Sequence, residues 1–209
     1  MPDTLFPMRS SLVFVLCVWV GSVSAGAQQE QELADQVRTV LSAKVARDAS
    51  GLHAEAQFDS VTEKVQWLAR MASLLPRKWK PTYQQRVEFL NLVHYEATRA
   101  GLEPELVLGL IQVESNFRRY AISSAGARGY MQVMPFWVDN IGNGDRSALF
   151  DMRTNLRFGC TILRHYIDIE QGNLFRALGR YNGSLGRSKY PNKVLKAWRR
   201  WSDVKLPGS

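Results

Sequence analysis

The sequence predicts a mainly α protein. Apolar residues recur at helical spacing in one segment after another, Pro and Gly punctuate most of the boundaries between segments, and no stretch alternates with the period of a strand. With 209 residues and 45% hydrophobic content, the chain is long enough for one well-packed domain with extensions. Any strands are expected to be short and near residues 139–150, a loop-like segment broken by Gly142 and Gly144.

The first residues read as a secretory leader spanning 1–25. Arg9 precedes the apolar run Leu12–Val20, and Val23-Ser24-Ala25 offers the small residues that suit cleavage before Gly26. The apolar run is too short to span a bilayer comfortably, so no stable membrane insertion is expected. Cys17 follows Leu16 where a lipoprotein signal needs a small residue, and after processing only Cys160 remains. A lone cysteine forms no internal disulfide, and Cys160 within Phe-Gly-Cys-Thr-Ile-Leu reads as a small core residue.

Residues 26–80 are expected to form a helical N-terminal extension. From Gln28 to Asp48 a thin stripe of Leu33, Val37, Val40 and Leu41 supports a marginal helix, which Ser50-Gly51 interrupts. Phe58, Val61, Val65, Leu68, Ala72 and Leu75 then share a helical face, with Asp59 or Ser60 as cap and Pro76 as stop. Residues 76–81 make a basic turn in which Trp79 reads as an exposed or packing aromatic.

A second unit is expected over 81–203. Pro81-Thr82 opens a helix whose apolar face holds Tyr83, Val87, Leu90, Val93 and Ala97, and Gly101 ends it. Glu103-Pro104-Glu105 starts the next helix with Pro at a tolerated first-turn position and acids at the positive end of the dipole. A further helix spans Asp151 to Ile169, with Leu156, Cys160, Leu163 and Ile167 inward; Asp151 and Asn155 read as fixing its start. Asn173–Tyr181 and Pro191–Trp201 complete the set, the last turning Val194, Leu195 and Trp198 inward.

The helix ending at Glu114 departs from ordinary design. Leu106, Val107, Leu108, Leu110, Ile111 and Val113 are apolar on all its sides, as in a helix buried in a core. Glu114 then stands at its C-terminal end, where desolvation and the negative end of the dipole both favour the protonated acid. Such a group suits general acid catalysis at a glycosidic oxygen; a buried pair with Arg118 or Arg128 is the structural alternative.

Glu114-Ser115 is followed by Ser123, Gly126-Ala127, Gly129-Tyr130-Met131-Gln132, Met134-Pro135, then Asp151, Asn155 and Gly159, and finally Tyr181-Asn182-Gly183. These ordered blocks, across roughly residues 101–200, resemble the soluble lytic transglycosylase family, the lysozyme-like enzymes that cut bacterial peptidoglycan. Tyr130 stands where the family usually has Leu, and Arg180 where it usually has Ala, changes that bear on the cleft wall. The resemblance implies a lysozyme-like transglycosylase domain over 81–203. It makes Glu114 the catalytic residue and Ser115, Ser123, Gln132, Met134, Tyr181 and Asn182 substrate-binding residues. It further implies that Tyr181 bonds the catalytic carboxyl or the substrate acetamido group, and that Gln132 or Asn182 orients that acetamido group.

The implied reaction cleaves the β-1,4 bond between N-acetylmuramic acid and N-acetylglucosamine. Glu114 protonates the leaving oxygen and then takes the proton of the sugar's own C6 hydroxyl, closing a 1,6-anhydro ring without water. One framed carboxyl suffices, because an intramolecular nucleophile needs no second one. A hydrolytic muramidase would pair Glu114 with Asp139, Asp145 or Asp151. A non-catalytic peptidoglycan-binding assembly protein is the alternative from another class.

The net charge of +8 is concentrated at the end: from Arg176 onward nine Lys or Arg face one acid, Asp203. Such a surface suits polyanions, and export favours the wall over nucleic acid. An exported, periplasmic monomer that acts on glycan strands is therefore expected, with a cell-envelope assembly or secretion complex as a partner left open. His53, His94 and His165 lack metal-site spacing, so no metal or cofactor is expected.

Overall fold

The computed structural model describes residue 28, residues 32–33 and 35–46, and residues 58–203. The expected leader over 1–25 with Cys17, the break at 49–56 and His53 lie outside the described residues. The fold is mainly α. Among the described residues no strand forms, only isolated antiparallel bridges from Arg128 to Ile122 and to Val133.

Helix α1 (Asp35–Ala46) lies against the later helices with Leu41 buried, and α2 (Val61–Leu74) is capped by the Ser60 hydroxyl, which accepts from Glu63 N. The buried face of α2 differs from the expected stripe: Trp67, Leu68, Met71 and Ala72 point inward, whereas Val61 and Val65 are exposed. Trp67 sets this rotation, because its indole donates to Glu105 Oε1 at 2.7 Å and its ring meets His94, itself stacked on Phe58.

Helix α3 (Tyr83–Arg99) opens with a reciprocal capping box between Thr82 and Gln85. Its inner face is Phe89, Leu90, Val93, His94 and Ala97; Tyr83 is exposed. Glu96, fully buried in the same helix, accepts from Arg99 and from Arg157, and so pins α3 to α6 (Met152–Ile169).

Helix α4 (Pro104–Glu114) buries Leu106 through Ile111 without a break, so protein surrounds it. It packs against α8 (Lys189–Ser202). At the crossing, a Cβ on Gly109 would stand 2.7 Å from Trp198 N, so only a glycine lets the two backbones approach this closely. Trp201 Nε1 donates to Gln112 Oε1 at 2.8 Å beyond the crossing.

Helix α8 begins at Lys189, two residues before the expected Pro191, and Pro191 sits in its first turn, where no helical N–H bond is lost. The segment expected to hold any strand instead forms α5 (Phe136–Ile141) and a 3₁₀ turn at Arg146–Phe150 capped by Asp145. Helix α7 (Leu174–Tyr181) is capped by Asn173, and Cys160 is wholly buried in α6.

Candidate active site

The site is built where α4 ends. Ser115 closes the helix, and Asn116 and Phe117 then take positive φ of 49° and 63°, which side chains other than glycine rarely adopt. Burial of Phe117 holds this sharp reversal in place and leaves Glu114 at the lip of a cavity of about 410 Å³. Val113, Asn182, Ser184, Arg187, Lys189, Tyr190 and Lys193 line the same cavity.

The half-buried Glu114 carboxyl has its pKa pushed from 4.5 to about 7 by desolvation. A hydrogen bond opposes the shift: the Tyr190 hydroxyl donates to Glu114 Oε1 at 2.5 Å. Burial and the Glu114 charge push the Tyr190 phenol well above its ordinary pKa, so it stays protonated as a donor. No ion pair joins Glu114 to Arg118 or Arg128. Arg118 Nε donates to the Ser115 carbonyl, and Arg128 to that of Arg146. A carboxyl with a pKa near neutrality can give up a proton and take one back at the same pH, as an acid and base in one cycle must.

Of the expected substrate-binding residues, Asn182 shares this cavity with Glu114. Others stand behind the wall, because their polar groups are engaged inside. Ser115 is 1% exposed, and its hydroxyl donates to the Tyr130 carbonyl at 2.7 Å, with the Ile111 carbonyl 3.2 Å away. Gln132 has a φ of 49°, is 8% exposed and spends its amide N–H on the Ala121 and Gly129 carbonyls. Tyr181 is 1% exposed and donates to the Met131 carbonyl, so the bond expected from Tyr181 to the catalytic carboxyl comes from Tyr190 instead.

Ser123 Oγ accepts from Ala127 N and closes the 123–127 loop. The Met134 N–H donates to Oε1 of Gln28, a buried side chain beside the Tyr181 hydroxyl. Asp151 alone of the two expected residues caps α6; the Asn155 amide instead accepts from Met131 N and donates to the Arg128 and Leu149 carbonyls, which fastens the 128–131 backbone behind the site.

The three aspartates weighed as second carboxylates lie elsewhere. Asp139 pairs with Arg146, Asp145 caps the 3₁₀ turn, and Asp151 caps α6. Hydrogen bonds from Arg146 and Ser147 hold the Asp139 and Asp145 carboxyls below their ordinary pKa. The two departures from the family pattern also have partners: Tyr130 OH accepts from Lys80 Nζ at 2.8 Å, and Arg180 pairs with Glu170. A larger cavity of about 640 Å³, lined by Trp79, Lys80 and Tyr120 among others, contains none of the expected site residues.

Sequence reasoning missed Tyr190, Ser184, Arg187, Lys189 and Lys193 as cavity residues. No local signal separates a cleft tyrosine in Lys-Tyr-Pro from a packing one; the only pointer was the cationic bias of the segment. Tyr190→Phe removes the donor that holds the Glu114 pKa down, so that pKa is expected to rise above about 7, by roughly half a unit to one unit. A ¹³C NMR titration of labelled glutamate side chains measures it, and an unmoved titration would show that Tyr190 does not bond Glu114 in solution.

Residues 91–200 match the model of the family described as Transglycosylase SLT domain. The chain is similar to the membrane-bound lytic murein transglycosylase C of Mannheimia succiniciproducens, at 37% identity over 84 residues, covering 36% of this chain and 24% of that protein. The protein of that name from Actinobacillus pleuropneumoniae serotype 5b is 38% identical over 84 residues (36% and 23% covered), and that from Yersinia pestis strain Pestoides F is 32% identical over 114 residues (47% and 32%). The chain thus spans between about a quarter and a third of the length of these curated relatives.

Proposed function

From the premise that the chain belongs to the Transglycosylase SLT domain family, we propose that it is a peptidoglycan lytic transglycosylase. The observation that carries this reading is a carboxyl of near-neutral pKa in a cavity that, among the described residues, is lined by no other acid. Protonated Glu114 gives its proton to the oxygen leaving C1 of N-acetylmuramic acid. The carboxylate then draws the proton from the C6 hydroxyl of the same sugar, whose oxygen closes on C1 to form the 1,6-anhydro ring. Tyr190 serves the second half by stabilising the carboxylate with its hydrogen bond. Asn182 orients the acetamido group from the cavity wall.

The hydrolytic reading would need a second carboxyl about 5–9.5 Å from the first, and Asp139, Asp145 and Asp151 are committed to an ion pair or to caps. The non-catalytic reading leaves the raised Glu114 pKa and its dedicated phenol donor without a purpose. The leader-like first residues and a wall substrate support a cell-envelope location, with export to the periplasm. Among the described residues no helix is long and apolar enough to cross a membrane.

Digestion of purified peptidoglycan in ¹⁸O-labelled water tests the reading. Products ending in 1,6-anhydro-N-acetylmuramic acid, one water lighter than hydrolysed ends and free of label, are expected by mass spectrometry. Labelled reducing ends would establish a hydrolase instead.

A further inference from the structure

One residue of the N-terminal extension reaches the neighbourhood of Glu114. Gln28 precedes Leu33, which packs on the core ahead of α1, and its own side chain is buried at 5% exposure. Its Oε1 accepts from the Met134 N–H at 3.2 Å, across 106 residues of sequence. The same amide stands beside the Tyr181 hydroxyl. Burial pushes that phenol well above its ordinary pKa, the Glu114 charge adds to the rise, and the Gln28 amide opposes it. Glu114 and Tyr181 both act on the Tyr190 phenol as well, so Gln28 lies in the electrostatic surroundings of the proton-transferring carboxyl. The fit of the amide is one-sided. Its Nε2 is buried without a hydrogen-bond partner among the described residues, although buried amides are normally satisfied at both ends. Gln28 is thus held by its carbonyl and penalised at its nitrogen, as suits an occupant that can be displaced.

Resting on the transglycosylase reading above, we propose that Gln28 is an autoinhibitory contact: its side-chain amide takes the place of an acetamido group on the Met134 N–H, and the glycan strand must displace it to bind. An acetamido group offers the same carbonyl acceptor. Its methyl is close in size to the Gln28 NH₂ and needs no hydrogen-bond partner, so the strand exchanges a mismatched group for a matched one. The acetamido group concerned belongs to a sugar beside the one that Asn182 orients. Displacement acts on affinity and not on proton transfer, because the measured dissociation constant is the intrinsic one divided by the fraction of molecules in which Gln28 is out. A fraction of about one in ten weakens binding about tenfold.

The test separates binding from turnover. In the full chain carrying Glu114→Gln, affinities for tri-N-acetylchitotriose and for cellotriose, in which hydroxyls replace the acetamido groups, are measured by ¹⁵N NMR titration with Gln28 intact and with Gln28→Ala. The variant is expected to bind chitotriose about tenfold more tightly and to leave cellotriose within about twofold. Unchanged or weakened chitotriose binding, or an equal gain for both sugars, overturns the proposal. A second measurement leaves Gln28 in place, so it decides the matter even where Gln28→Ala disturbs the fold. The Gln28 side-chain NH₂ is buried, and its hydrogen exchange is expected to speed up at least about tenfold at saturating chitotriose while the Met134 N–H stays protected. Exchange that saturation leaves unchanged would show that the strand binds without moving Gln28. Both readouts concern binding alone. Hydrolytic products in the isotope experiment would sink the transglycosylase reading and leave these outcomes to decide the role of Gln28.

Discussion

Glu114→Gln is expected to lower kcat on peptidoglycan by about 10²–10⁴-fold, the range that a positioned proton donor typically contributes, with little change in glycan affinity. Gln keeps the shape and still accepts the Tyr190 hydrogen bond, but it cannot transfer a proton. Residual turnover above a few per cent would remove Glu114 from the chemistry. The same substitution carries a stability signature of definite sign. The folded-state pKa of Glu114 lies near 7, above the ordinary value of 4.5, so between these pH values the folded protein holds a proton that the unfolded chain has released. Wild-type stability therefore falls as pH rises through this window, and Gln removes the effect. The variant is expected to match wild type near pH 4 and to exceed it at pH 8 by up to about 3 kcal/mol. Thermal unfolding across that range measures it; parallel curves would show that the carboxyl is not desolvated. In the wild type the rate should fall above about pH 7, as the acid form is lost.

Gly109→Ala is expected to damage both stability and turnover, although it lies away from the chemistry. The added Cβ would meet Trp198 N at 2.7 Å and Trp198 Cα at 2.9 Å, and both belong to the backbone of a packed helix, which no rotamer change can move aside. Overpacking of this kind costs about 1–3 kcal/mol, partly offset by the better helix propensity of Ala. At about 2–4 °C per kcal/mol for a chain of this size, a melting temperature lowered by about 2–8 °C is expected. Because α4 ends in Glu114 and Tyr190 lies in the first turn of α8, separating the two helices also pulls the proton donor from its partner, and kcat should fall at least about tenfold. Gly101→Ala is the control: at φ 68° it is strained, but its Cβ would meet nothing within 4 Å, so a loss of about 1 kcal/mol with unchanged kcat is expected. Equal kcat losses at the two positions would refute the backbone-contact explanation.

Much of this architecture is legible in the chain because its causes are local. The Thr82 capping box, the Asp151 and Asn173 caps and the stop at Gly101 each depend on residues within one turn of the boundary they mark. Glu114 stands out for a similar reason: a helix apolar on every side that ends in an acid announces a desolvated carboxyl before any neighbour is known. The rotation of α2 was not legible, because Trp67 turned it inward to reach Glu105 and His94, while Val61 and Val65 fitted the helical period equally well.

By itself the sequence determined the mainly α fold, the placement of most helices and the identity of an acid whose surroundings favour its proton. Only the tertiary structure decided which groups face that acid. The Tyr190 hydroxyl reaches Glu114 across 76 residues of sequence, and the Tyr181 hydroxyl is claimed by Met131 across 50. Whether a tyrosine hydroxyl meets a carboxylate or a backbone carbonyl depends on how α7 and α8 pack on their neighbours, and that packing rests in part on a glycine at the α4–α8 crossing rather than on anything near the tyrosines. The same packing gathers Arg187, Lys189 and Lys193 at the cavity, whereas in the sequence they are three members of a diffuse basic tail. Helix formation follows from neighbours along the chain, but a site between helices is set by distances that the chain order does not encode.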